Sequence, residues 1–149
     1  MEIREKLSRL QAIDRINAER AAEGQTLIVM TVSRMAAQMM ADGRKIVELR
    51  KTWPGKPGPL LVAMCDDAGQ IIGQCVVRGI LDLTHLDQAI VARLANVPVD
   101  AIPRYRRYGQ EGLYGWVIEQ YRDLSGTGLS VEDYGVTSAP RSWCYGHVD

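Results

Sequence analysis

Apolar residues recur at Ile3, Leu7, Leu10, Ile13 and Ile16, spaced three or four positions apart, which marks one face of a helix. Glu2 with Lys6 and Glu5 with Arg9 are acid-first i,i+4 pairs that support it locally, and Gly24 ends the run. This amphipathic helix, residues 1–24, is expected either to pack on the remaining fold or to serve a protein partner or a homodimer. From residue 27 the pattern changes. Residues 27–32 form a short apolar run with β-branched members, which predicts a strand. Ser33 offers an N-cap to a helix over residues 34–41, closed by Asp42 and Gly43. Met35 and Met39 stand at i,i+4 on that helix and are read as core filling.

Residues 44–51 alternate enough for a strand. The segment 52–59, with three prolines and two glycines around Trp53, predicts a loop. Residues 60–65 are a continuous apolar strand; Asp66, Asp67, Ala68 and Gly69 turn the chain, and residues 70–77 return as its hairpin partner. A helix is expected over residues 86–95, then an irregular link between Pro98 and Pro103. The basic, aromatic stretch Arg104, Tyr105, Arg106, Arg107, Tyr108 follows. Residues 113–121 form a further strand, and 125–140 are turn-rich. Strands with interposed helices suggest an α+β fold with a mostly closed sheet.

The chain has 149 residues, enough for one domain with a core that needs no disulfide or metal. Lys plus Arg and Asp plus Glu both number 18; this balance argues against a protein that coats duplexes non-specifically, where phosphate neutralisation supplies most of the affinity. It does not argue against a pocket for one nucleotide. Cys65, Cys75 and Cys144 form no CxxC pair, and only His85 and His147 are available beside them, so neither a disulfide framework nor a metal site is expected. No cofactor is implied. The charged N-terminus has no apolar signal-peptide core, and no stretch approaches the ~18 apolar residues of a membrane span. A cytoplasmic protein with reduced thiols is the expectation.

Three stretches resemble the ASCH family of the PUA-like superfamily. Gly43-Arg44-Lys45-Ile46-Val47-Glu48-Leu49-Arg50 looks like its G-x-K-x-x-E-x-R signature. The strand pair within residues 59–77 resembles the one that follows the signature. Leu113-Tyr114-Gly115-Trp116-Val117-Ile118, with the later Ala139-Pro140-Arg141-Ser142-Trp143-Cys144-Tyr145, looks like the closing strands of small ASCH proteins, many of them encoded by phages or prophages. The resemblance covers residues 27 to 145. It implies a small mixed PUA-like β-barrel over residues 25–149, with flanking helices and the N-terminal helix added in front. It also implies a ligand cleft beside the signature. Related domains bind RNA or modified bases there; some small ASCH proteins hydrolyse N4-acetylcytidine and others act as ribonucleases.

In a regular strand Glu48 and Arg50 share a face and Lys45 points away. Lys45 joins them only if the chain bends near Gly43, a residue that permits this. If the three converge, Glu48 can accept from a base's exocyclic amine, Arg50 can act as a planar fork and Lys45 as a charged donor or a base. The alternative is an ordinary surface cluster worth little. In the acetylcytidine hydrolases a lysine stands where Lys45 does, and a threonine nucleophile where this chain has Glu48. A carboxylate does not replace an alcohol that must form and release an ester. The expected function is therefore binding of RNA or a modified nucleoside. Hydrolysis or RNA cleavage (Lys45 and Glu48 catalytic) and a phage protein-interaction module are the alternatives. Trp53, Ser142 and Trp143 are candidates for the cleft wall, although an indole is more often packing; Trp116 is expected in the core. Arg104 to Tyr108 reads either as a nucleic-acid patch or as a solvated helix with its tyrosines turned inward.

Overall fold

The computed structural model describes residues 26–56, 58–105 and 112–147. The expected N-terminal helix, and Arg106, Arg107 and Tyr108 of the basic stretch, lie outside the described residues. The element order is β1 (Thr26–Thr31), α1 (Arg34–Ala41), β2 (Val47–Arg50), β3 (Leu60–Cys65), β4 (Ile71–Asp82), α2 (Gln88–Ala95), a 3-10 helix (Val99–Tyr105), β5 (Tyr114–Asp123), a second 3-10 helix (Val131–Tyr134) and β6 (Trp143–Tyr145).

The six strands form one mixed sheet in the order β2-β5-β4-β3-β1-β6. β1 runs parallel to β3 and the remaining pairs are antiparallel. Register shifts in the β3–β4 and β4–β5 ladders are bulges, which increase local twist and bend the sheet. The result is a curled half-barrel with β2 and β6 at its two edges rather than a barrel closed by a continuous ladder. Among the described residues no backbone ladder joins those edges; side chains do. Arg50 of β2 reaches Ser142 beside β6, the Trp143 indole donates to Thr52 Oγ1 at 3.0 Å, and the Tyr145 hydroxyl donates to the Pro54 carbonyl.

The main core fills the concave side: Ile28 and Met30 of β1, Leu60, Val62 and Met64 of β3, Cys75 and Val77 of β4, and Trp116 of β5, capped by Ala37 and Met40 of α1. Strand alternation sends the intervening side chains to the convex side. There Val29, Ala63 and Cys65 meet Leu129, Val131 and Tyr134, while Val47 and Leu49 are covered by Val91, Ala92 and Ala95 of α2 and by Ile102.

Three sequence expectations are corrected. β2 is shorter than the strand expected over 44–51, because residues 43–46 are spent turning off the end of α1. β4 runs on to Asp82, past the expected end at Val77, because β5 supplies partners as far as Tyr114. Met35 and Met39 are not core: Met35 is 75% exposed and Met39 is half-buried. Ala37 and Met40 face the core instead, so the buried stripe of α1 is shifted by one position.

Candidate binding cleft

Ser33 caps α1, its hydroxyl accepting from the Ala36 amide at 3.0 Å. At the other end the chain folds back over the helix. Gly43 takes a left-handed φ of 76°, and the amides of Arg44 and Lys45 both donate to the Met39 carbonyl, at 2.8 and 3.1 Å. This is the bend that brings Lys45 to the same side as Glu48. Lys45 Nζ lies 3.7 Å from Glu48 Oε1, and Arg50 Nη2 lies 2.8 Å from Glu48 Oε2. Lys45 is 4% exposed and Glu48 6%. The three signature side chains form one cation–carboxylate–cation row, with Lys45 and Glu48 buried and Arg50 partly so.

Each member is anchored. Lys45 Nζ donates to the Ala95 carbonyl at 2.6 Å, at the C-terminal residue of α2, where orphan carbonyls and the helix dipole favour a cation. Burial nevertheless lowers the Lys45 pKa, while the charge of Glu48 and its hydrogen bond oppose that shift. Arg50 Nη2 also donates to the Thr31 carbonyl at 2.6 Å, and Nη1 donates to both the carbonyl and the hydroxyl of Ser142, each at 3.2 Å. Its Nε is buried without a hydrogen-bond partner. The guanidinium is thus mostly committed to protein oxygens, which suits it to positioning Glu48 more than to gripping a ligand itself.

This row forms part of the wall of a cleft of about 970 Å³, at the large end of the range for small-molecule sites. Five cations line it, Arg34, Lys45, Arg50, Lys51 and Arg141, against three acids, Glu48, Asp66 and Asp67. Arg34 is held by Asp66 at 2.6 Å; Lys51 and Arg141 are exposed on the rim. Between the charges lies an apolar strip of Val32, Met35, Ala36, Met39, Val97 and Pro98, and Tyr105 adds a ring. Burial raises the Tyr105 pKa, and the negative charge of Glu48 adds to the rise.

The structure thus brings Lys45, Glu48, Arg50 and Ser142 together and adds Tyr105 from the basic stretch, while Arg104 is exposed outside the lining. Neither Trp53 nor Trp143 lines the cleft. Trp53 lies 6.1 Å from the Tyr114 ring, and Trp143 packs 5.6 Å from Trp116 and 5.7 Å from Tyr145. Trp116 is fully buried. Sequence reasoning missed Met35, Met39, Lys51 and Arg141 as lining residues. No local signal marked the methionines, since an i,i+4 pair on a helix reads equally as core filling. No cluster of three or more His, Cys, Asp or Glu able to hold a metal occurs among the described residues. No described helix is long and apolar enough to cross a membrane.

No family model and no curated protein matches the chain. Solved structures do match its fold. The crystal structure of the ASCH protein from Zymomonas mobilis superimposes with a TM-score of 0.61 at 17% identity, covering 80% of this chain and 87% of that one. A serine-to-alanine mutant of that protein gives a TM-score of 0.63 at 15% identity, covering 81% and 88%. A tyrosine-to-phenylalanine mutant gives 0.62 at 17% identity, covering 81% and 90%. The chain therefore has the ASCH fold over about four-fifths of its length.

Proposed function

We propose that this ASCH-fold chain binds single-stranded RNA, or a modified nucleoside within it, in the cleft between α1, β2 and the Pro98–Tyr105 segment. The observation that carries this reading is the convergence of Lys45, Glu48 and Arg50 in the wall of a cleft rimmed by further cations. Glu48 is the acceptor for a base's exocyclic amine: Arg50 fixes one oxygen at 2.8 Å, while the longer 3.7 Å contact to Lys45 leaves the other less committed. Met35, Met39 and Tyr105 offer apolar and aromatic surface for the flat face of a base. Lys51 and Arg141 stand where a flanking phosphate would be neutralised. A neutral chain with a locally cationic cleft suits a short single strand better than a long duplex.

Fluorescence anisotropy with a short single-stranded RNA and a panel of modified nucleosides tests this directly. Saturable binding that drops in Lys51→Ala with Arg141→Ala, and drops again in Glu48→Gln, is the expected result. Binding unchanged by all three substitutions would place the ligand elsewhere and sink the reading.

Hydrolysis is the second reading, and one observation favours it: burial lowers the pKa of Lys45 beside a carboxylate, which moves an amine toward use as a base. Strand β2 still has no alcohol at position 48. Incubation with N4-acetylcytidine and with RNA separates the readings. Turnover that disappears in Lys45→Met establishes an enzyme; no turnover leaves a binding cleft.

A further inference from the structure

A second concavity lies between α2 and the turn that precedes β2. It has a volume of about 430 Å³ and is lined by Gly43, Arg44, Ile46, Ile90, Arg93, Leu94 and Asn96. Ile46 is 55% exposed, Ile90 50% and Leu94 37%. Three large apolar side chains meeting in one concavity offer a surface that a short amphipathic segment can cover. The lining contains two arginines and no acid; Arg44 is already paired with Asp42 at 2.7 Å, so Arg93 is the lining cation that an occupant's acid would face. Its occupant should therefore be apolar with a negative charge in the same stripe.

Residues 1–25 contain such a stripe. At helical spacing Ile3, Leu7, Leu10 and Asp14 fall on one face, three or four positions apart, and Asp14 is the acid within it. Reach is sufficient. Thr26 pairs with Leu60, Leu60 with Val77, and Val77 with Ile118, whose amide donates to the Ile46 carbonyl at 2.8 Å. The start of β1 and the groove thus stand at one level of the sheet, four strand spacings or about 19 Å apart. The reach requires the docked helix to end at Ile16 instead of running on to Gly24; residues 17–25 then span up to about 30 Å as an extended tether.

We propose that the first part of the helix predicted over residues 1–24, residues 3–16, docks as a helix in this groove of its own chain while residues 17–25 run extended, with Leu7 and Leu10 against Ile46, Ile90 and Leu94, and Asp14 facing Arg93. The N-terminal segment then covers the flank of α2, whose last carbonyl holds Lys45. It braces the cleft from behind without entering it.

A photo-cross-linking residue at Ile90 of the full-length chain, with products mapped by mass spectrometry, tests this. Cross-links to residues 3–14 at monomer mass are expected. Arg93→Glu should lose most of that product, and adding Asp14→Arg should restore it. Leu7→Glu with Leu10→Glu should abolish it while the melting transition of the barrel persists. Cross-links at dimer mass only, or a folded protein with no product in residues 3–16, would overturn the proposal.

Discussion

Arg50 donates to both the carbonyl and the hydroxyl of Ser142, at 3.2 Å each, and so ties one edge strand of the half-barrel to the segment entering the other. The same guanidinium holds Thr31 and Glu48. One side chain joins the sheet seam to the carboxylate of the cleft. Arg50→Ala should therefore destabilise the fold by about 3–5 kcal/mol, the range for removing one member of a buried ion pair. Arg50→Lys should recover only part, because a point charge cannot replace the fork. Urea midpoints at unchanged m-value measure both.

Gly43 carries the bend that recruits Lys45. Its φ of 76° is in the left-handed region, and a Cβ there would meet nothing within 4 Å, so the cost of a side chain is conformational only. Gly43→Ala should lose about 1–2 kcal/mol, and Gly43→Asn less, since asparagine tolerates this region. If RNA binding depends on the bend, affinity should follow the same order in anisotropy titrations.

Lys45 gives a pH signature. Its folded pKa is lowered from 10.5 by burial, so between the folded value and 10.5 the unfolded chain binds more protons than the native one. Stability contributed by this group then rises with pH across that window; below it, burying the charge carries its full cost. Subtracting the pH profile of Lys45→Met from that of the parent should leave a positive slope in the alkaline range that flattens toward neutrality. A flat difference across the whole range would contradict the lowered pKa.

Met35 separates binding from folding. It is 75% exposed, so Met35→Glu should change stability by no more than about 0.5 kcal/mol. The same change puts a carboxylate on the apolar strip of the cleft and should weaken RNA binding roughly tenfold, the equivalent of about 1.4 kcal/mol. Thermal melts and titrations on one preparation report both.

The rim cations should appear in the salt dependence. A contact from Lys51 or Arg141 to a single-strand phosphate contributes about 0.7 to the slope of log affinity against log salt. Each alanine substitution should reduce the slope by about that amount and weaken binding similarly across sequences.

Much of the secondary structure was readable because its signals are local. Ser33 before a run of helix formers, the Asp66–Gly69 turn and the unbroken apolar run of β3 depend on neighbours a few positions away. β2 was harder: residues 44–46 alternate as a strand would, yet the Met39 carbonyl captures two of their amides. The α1 stripe was misassigned for a related reason, since periodicity shows that a helix has an apolar face but not which flank meets the sheet.

The sequence by itself determined that Lys45 can join Glu48 only through a bend near Gly43, since residue type and spacing carry this; the candidate signature and the difference at position 48 were legible through the family resemblance. Only the tertiary structure decided that the bend occurs and that Ala95, 50 positions from Lys45, holds its amine. It also decided that Ser142, 92 positions from Arg50, shares its guanidinium. Contacts between strands that neighbour each other only after the sheet curls leave no mark on local spacing. The place of the two methionines follows from the same curl: once α1 caps the concave face through Ala37 and Met40, its next stripe, Met35 exposed and Met39 half-buried, is left to line the cleft.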